Sequence, residues 1–306
     1  MAEIESVEGR LGLGCAPLGN LFESVSDTDA IATIDAAWEG GIRCFDTAPL
    51  YGHGESERRL GAALRGRPRD EYELCTKVGR VLVPVDEHAP TIFHDLPPVD
   101  PVFDFSREGV LRSFESSLQR LGVDRIDVVH VHDPDEHEAE ALANAFPTLI
   151  ELREQGVVGR VGAGMNQCAM LARFVERVDL DCVLVAGRYS LLDRQAADEL
   201  FPACADRGVE VYLGGVFNSG LLARPEAGST YDYGTASDVL VGRACALAAT
   251  CAEHGVELPH AAIQFALAHP AVTRALIGAR NPSEITAATS WARRLLPTGL
   301  ADRLAD

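Results

Sequence analysis

Lysine is almost missing from this chain: of 27 basic residues, 26 are arginine and one, Lys77, is lysine. Arginine supplies positive charge nearly anywhere, but its pKa cannot be tuned for proton transfer as a lysine's can. A chain that shuns lysine yet keeps one in Cys75-Thr76-Lys77-Val78-Gly79, where an apolar run opens into a loop, is read as keeping it for chemistry. Positive charge is scarce as a whole, with 46 acidic residues against those 27 and a net charge of −19 at pH 7. That excludes phosphate-backbone binding and adhesion to anionic lipid, both of which need clustered cations. Small molecules are the expected partners, with no nucleic acid and no membrane, and nothing in the sequence speaks to an oligomer. Long hydrophobic runs are missing too. No stretch nears about 18 uninterrupted apolar residues, and residues 1–10 hold three glutamates and no apolar signal core. The eight cysteines include no C-x-x-C pair and fall mostly in apolar runs, as reduced core residues of a cytoplasmic protein would.

What is present is a 306-residue chain, 47% hydrophobic, in which strand-like runs alternate with helical patterns. Strands are predicted at 11–14, 42–47, 72–78, 126–132, 157–165, 182–186, 209–216 and 275–278. Helices follow at 29–39, 56–64, 107–121, 138–155, 169–178, 196–207, 239–254 and 282–295, with one more at 259–268. Ser26-x-x-Asp29 reads as a capping box for the first helix. Eight alternations mean a parallel sheet buried on both faces. In about 300 residues they suit a closed (β/α)8 TIM barrel, one α/β domain over 1–306, better than an open doubly wound sheet. The early G-x-G-x-x-G of the latter is missing: Gly12-Leu13-Gly14-Cys15-Ala16-Pro17 fails the spacing. Two long loops, 82–105 and 221–237, follow strands and so would hang over the C-terminal face, where barrels do chemistry.

Polar residues gather at predicted strand ends: Asp46 and Tyr51 after the second, Lys77 after the third, His132 after the fourth and Asn166 after the fifth. A barrel brings these ends to one pocket. There a tyrosine beside an ammonium can act as general acid or base, and a buried ammonium needs a carboxylate such as Asp46. Singly, each has a plainer reading, as a cap, a loop aromatic or a core histidine. His130 and His132 would share one strand face and could hold zinc, but no other strand end offers a third histidine, so no metal is assigned. The lone lysine also admits a Schiff-base aldolase.

At these residues the chain resembles the aldo-keto reductase family over nearly its whole length. The stretch 45–52 (Phe-Asp-Thr-Ala-Pro-Leu-Tyr-Gly) looks like the family's Asp and Tyr site, Thr76-Lys77-Val78-Gly79 like its lysine site, and Val131-His132-Asp133-Pro134 like its histidine site. The stretches 101–106, 162–167, 186–190 and 214–220 are similar to the D-threo-aldose (L-fucose) and pyridoxal 4-dehydrogenase branch. The resemblance implies an NAD- or NADP-dependent oxidoreductase that turns a cyclic hemiacetal into a lactone. Tyr51 would exchange the hydroxyl proton, Lys77 would lower the Tyr51 pKa, Asp46 would keep Lys77 charged, and His132 would orient the reacting oxygen. A general aldehyde reductase, or a silent nucleotide-binding regulatory barrel, is the alternative.

The cofactor would meet Gly14, Cys15, Asn166, the loop Phe217, Asn218, Ser219, Gly220, Leu221, and the last strand end at Gly278, Ala279, Arg280 and Glu284. Where many relatives stack an aromatic ring on nicotinamide this chain has Gly214, and where many place a glutamine it has Ala186, with Phe217 as a substitute surface. A lysine and an arginine that clamp a 2′-phosphate in many relatives align with Gly278 and Glu284. Glu284 would repel that phosphate and accept from a ribose hydroxyl, which leans to NAD, while Arg280, just before a helix start, could bind an anion and so counts the other way. For substrate, Phe103, Asp133 and Tyr231 are expected at the pocket rim with Phe93, Phe105 and Asp135, a mixture suited to a neutral polyhydroxylated or heteroaromatic ligand.

Overall fold

The structure is a computed structural model that describes residues 9–305; the acidic opening at 1–8 and residue 306 lie outside the described residues. Eight parallel strands close into a barrel: β1 (Leu11–Gly14), β2 (Cys44–Asp46), β3 (Glu73–Val78), β6 (Ile126–His132), β7 (Val158–Met165), β8 (Cys182–Ala186), β9 (Glu210–Gly214) and β12 (Val272–Gly278). Each pairs with the next in sequence, and β12 returns to β1, with Gly14 opposite Gly278. Helices cover the outside: α1 (Asp27–Glu39), α2 (Glu55–Leu64), α3 (Arg107–Leu121), α4 (Glu138–Glu140), α5 (Phe146–Glu154), α6 (Cys168–Arg177), α7 (Gln195–Asp198), α8 (Leu200–Arg207), α9 (Asp238–Glu253), α10 (Leu258–Ala268), α11 (Pro282–Ala292) and α12 (Leu300–Ala305). Ser26 caps α1, its Oγ accepting from the Asp29 N–H at 3.0 Å and donating to Asp29 Oδ2 at 2.7 Å.

The strands are apolar on both faces because each face meets a core. Outward residues such as Phe45 and Val129 pack under the helices, while Cys44, Cys75, Val128, Cys182, Leu184, Tyr212 and Leu276 fill the interior. This period of two decides what the mouth contains. Asp46 shares parity with Cys44, Lys77 with Cys75, and both His130 and His132 with Val128, so the barrel points all four inward.

Three expectations change. The helix expected at 138–155 is interrupted by a π turn, Ala141–Ala145, just before Pro147, whose missing N–H cannot join an α-helical ladder. The helix expected at 196–207 breaks at Glu199 (φ −125°), which leaves Pro202 in the first turn of α8 where its ring clashes with no preceding carbonyl. The two long loops hold ribbons. After Gly79, β4 (Arg80–Pro84) pairs antiparallel with β5 (Val99–Phe103), a hairpin hidden in the sequence by its prolines. In the other, β10 (Thr230–Tyr231) and β11 (Gly234–Thr235) flank Asp232 and Tyr233, both at positive φ (48° and 63°), which makes a type I′ hairpin turn.

Candidate active site

The C-terminal mouth is built first by β2 and β3. Lys77 is 1% exposed and Asp46 3%. Lys77 Nζ donates to both Asp46 oxygens, at 2.8 and 2.7 Å, and to the Thr47 carbonyl at 2.8 Å. All three ammonium protons are therefore used. Burial lifts the Asp46 carboxyl above its ordinary range, and Lys77 offsets part of that lift.

Tyr51 sits on the turn after β2. That turn is tight: Gly52 has φ +62°, and a Cβ there would come within 2.4 Å of the Gly19 carbonyl oxygen, so only glycine fits. Lys77 Nζ lies 4.8 Å from the Tyr51 ring centroid, and His132 meets that ring edge-on at 5.9 Å. Burial pushes the Tyr51 phenol well above its ordinary value, with Asp46, Tyr233 and Asp133 adding to the effect. Among the charges around it Arg80 pulls the phenol down, while Lys77 beneath the ring is matched by Asp46. Burial also drives the His132 imidazole well below its usual value, helped by Arg80 and Lys77, so His132 is neutral at pH 7. His130 lies a layer below, its Nε2 3.7 Å from Cys182 Sγ, and among the described residues neither histidine belongs to a potential metal-ligand cluster.

The mouth gathers groups the sequence reading did not single out. Arg80 donates to Asp133 at 3.0 Å and lies over the Phe103 ring at 4.5 Å. Tyr233, 49% exposed in a left-handed conformation, feels the charges of Asp133 and Lys77 and so hangs over the mouth. Tyr231, the tyrosine expected at the rim, donates to Asp193 at 3.2 Å. Phe93 packs on Tyr51 at 6.4 Å, and Phe103 is exposed, but Phe105 is fully buried beneath Gly79 and lines no rim. His53, His88 and Asp100 converge because the hairpin folds back: His88 Nδ1 and His53 Nδ1 lie 2.6 and 3.3 Å from one Asp100 oxygen. Their contact anchors the hairpin to the Tyr51 turn. Histidines far apart in sequence and away from strand ends gave no sign of this.

The expected cofactor residues line the other half of the mouth. Gly14 and Gly278 pair there, leaving the barrel wall without side chains. Asn166 Nδ2 donates to the Ala186 carbonyl at 3.0 Å. Gly214 leaves room, since an added Cβ would make only ordinary contact with Ala186 and Leu184 at 3.5 Å. Phe217 is half-buried, while the side chains of Cys15, Leu221 and Ala279 belong to the core and can offer a ligand only backbone. Asn218, Ser219 and Gly220 turn through three successive positive φ values. The residues present fit a dinucleotide: Asn218 Oδ1 is buried with no hydrogen-bond partner among the described residues, and an added Cβ at nearby Gly220 would meet nothing within 4 Å.

At the far end, Arg280 pairs with Glu23 at 2.5 Å. Glu284, expected to take a ribose hydroxyl, has a second task. It closes a capping box on α11, accepting from the Arg280 N–H at 2.8 Å and Asn281 Nδ2 at 3.0 Å. Two surface hollows, about 580 and 500 Å3, lie at the opposite end of the barrel around Leu64 and Val123 and around Glu73 and Arg274, away from all these groups.

Comparison with known proteins agrees with this geometry. Residues 10–302 match the Aldo/keto reductase family. The chain is 44% identical over 305 residues to D-threo-aldose 1-dehydrogenase of Pseudomonas sp, covering 97% of this chain and 93% of that one. It is 41% identical to pyridoxal 4-dehydrogenase of Microbacterium luteolum, covering 94% and 90%. Among solved structures it resembles aldo-keto reductase AKR11C1 from Bacillus halodurans in its holo form, with a TM-score of 0.75, 26% identity and coverage of 96% and 90%. A family and relatives of this kind imply NAD or NADP as cofactor. The chain thus belongs to the aldo/keto reductase family and is an oxidoreductase of that type.

Proposed function

We propose that the chain is an aldose 1-dehydrogenase, acting as one domain over 1–306, that oxidises the cyclic hemiacetal of an aldose such as L-fucose or D-arabinose at C1 to the lactone. The observation that carries this reading is the buried Asp46–Lys77 pair beneath Tyr51 with neutral His132 beside it. NAD or NADP, when bound, supplies the hydride acceptor. The C1 hydrogen leaves with its electron pair, the hydroxyl proton goes to Tyr51, and the C1–O bond becomes a carbonyl. In the reverse sense Tyr51 returns the proton. His132, uncharged, donates one hydrogen bond to the reacting oxygen and holds it in line with Tyr51. Lys77 and Asp46 position the Tyr51 turn and balance each other's charge.

Asn166, Asn218 and the backbone around Ser219 and Gly220 would hold the cofactor, with Gly278 and the start of α11 at its adenosine end. NAD is favoured over NADP because Arg280, the cation there, already faces Glu23 and Glu284. A 2′-phosphate would meet net negative charge. A cytoplasmic setting fits seven buried free thiols. Pyridoxal, oxidised as its internal hemiacetal, is the second reading, favoured by Phe93 beside Tyr51 and Phe103 at the rim.

A panel of aldoses, pyridoxal and simple aldehydes, assayed with both cofactors at the NADH absorbance band, tests the reading. Turnover of aldoses above all others is expected; preferred reduction of simple aldehydes, or cofactor binding with no turnover, would overturn it. Borohydride with substrate should leave Lys77 unlabelled, because its three protons are already donated and its nitrogen has no lone pair to offer.

A further inference from the structure

The four residues above account for one substrate oxygen, and Arg80 points to a second. It stands at the start of the β4–β5 hairpin, reached through Gly79 at φ +106°. Its side chain is only 12% exposed and is fixed on two sides: Nη2 donates to Asp133 Oδ2 at 3.0 Å, and the guanidinium stacks on Phe103. Nη1 is buried with no hydrogen-bond partner among the described residues. A buried guanidinium donor left unmet is costly, and where it borders a reaction site a ligand atom is the natural partner. The neighbours say which site it borders. Arg80 pulls down the Tyr51 phenol and pushes down the His132 imidazole, so its charge lies against both groups that flank the reacting oxygen. Asp133 follows His132 directly, at φ +44°, with its carboxylate 3.5 Å from His132 Nε2. Aspartate tolerates that left-handed backbone better than most side chains, and here it sets the carboxylate between Arg80 and His132.

We propose that Arg80 and Asp133 form a substrate subsite that binds a hydroxyl on the carbon next to the reacting one, so that the enzyme selects 2-hydroxy hemiacetals. A hydroxyl both donates and accepts, and this pair offers both complements: Arg80 Nη1 donates to its oxygen and Asp133 accepts a hydrogen bond from its O–H. Both contacts involve charged groups, which makes them stronger than neutral ones. Removing the hydroxyl from the substrate would leave the guanidinium N–H and the carboxylate oxygen without partners, the situation in which enzymes discriminate most sharply. Simple aldehydes would be poor substrates for the same reason. The inference rests on the dehydrogenase reading above.

The test compares kcat/KM for D-arabinose and 2-deoxy-D-ribose, which is D-arabinose without its 2-hydroxyl, in the wild type, Arg80→Gln and Arg80→Lys. In the wild type the deoxy sugar should fall by about 100-fold or more. Arg80→Gln also removes a charge that favours the Tyr51 phenolate, a loss that falls on both sugars alike; beyond it D-arabinose should drop by about 100-fold more than 2-deoxy-D-ribose, so that the ratio collapses. Arg80→Lys keeps the charge near Asp133 but loses the second arm, and should give an intermediate ratio. Equal wild-type rates for the two sugars, or an Arg80→Gln loss of the same factor for both, would overturn the subsite while leaving the dehydrogenase reading intact. No turnover of either sugar by the wild type would overturn both. The wild-type comparison needs no variant to fold.

Discussion

Asp46 near the mouth and Glu73 at the foot of β3 are two carboxylates of one barrel interior, and the structure treats them oppositely. Burial tends to raise both. At Glu73, Arg160 and Arg274 together with the Tyr212 hydroxyl at 2.9 Å outweigh burial, and the carboxyl sits below its usual range. At Asp46 a single ammonium falls short, and the carboxyl sits above it. Around Glu73 two arginines meet two carboxylates, Arg160 reaching both Glu73 and Glu210 and Arg274 standing 3.8 Å from Glu73. Around Asp46 stand a phenol held protonated, an uncharged histidine and, among the described residues, an arginine N–H without a partner; the foot has its own protonated phenol in Tyr212 and its own unmet arginine N–H in Arg274, so the raised carboxyl and the neutral His132 beside a tyrosine are what set the mouth apart. The difference fits the proposal that the mouth moves a proton while the foot holds the barrel together.

The sharpest way to break the comparison is at Tyr51. Tyr51→Phe keeps the ring and its packing and removes only the phenolic oxygen. Turnover should fall by about 10^2 to 10^4 while NADH affinity, read by fluorescence titration, changes less than twofold. Next comes a matched pair of substitutions. Asp46→Asn and Glu73→Gln each remove one buried charge from a paired set, and each should cost about 3–5 kcal/mol of stability. Thermal melts should show both losses. Rates per folded molecule should separate them, since Asp46→Asn loses activity beyond its unfolded fraction and Glu73→Gln does not. An equal kinetic loss in both would erase the distinction between mouth and foot.

The smallest expected effect is at the cofactor end. Glu23→Gln removes one of two carboxylates facing the half-exposed Arg280. A charge in so open a setting is worth about 0.5–1 kcal/mol. The ratio of kcat/KM for NADP to that for NAD should rise about two- to fivefold. No change would mean that this arginine does not sense the 2′ position.

Sequence reading reached the barrel and the inward set of Asp46, Lys77 and His132 because both depend on local periodicities. Buried parallel strands read as apolar runs, and a period of two fixes which residue of each run points inward. It failed where long-range contact decides. Arg80 and Asp133 are 53 residues apart and meet only because the hairpin after β3 folds back over the mouth. The same fold-back joins His53, His88 and Asp100. Tyr231 and Tyr233 are both plausible rim residues by composition, and the direction of a two-residue turn decides between them. Glu284 was legible as a repelling charge but not as a capping residue, although Asn281-x-x-Glu284 carries the spacing that would have said so.

The central claim, that the Tyr51 phenol exchanges the proton, is tested most directly by the pH dependence of kcat/KM for aldose oxidation. Oxidation needs the phenolate. Because burial holds the phenol well above its ordinary value, pH stays below that pKa across the accessible range, and the phenolate fraction grows tenfold per unit. The rate should therefore climb by about tenfold per unit from pH 7 to 9, with no inflection near 6.5 because His132 is already neutral there. A profile that is flat over that range, or one that bends at an ordinary histidine pKa, would contradict the account.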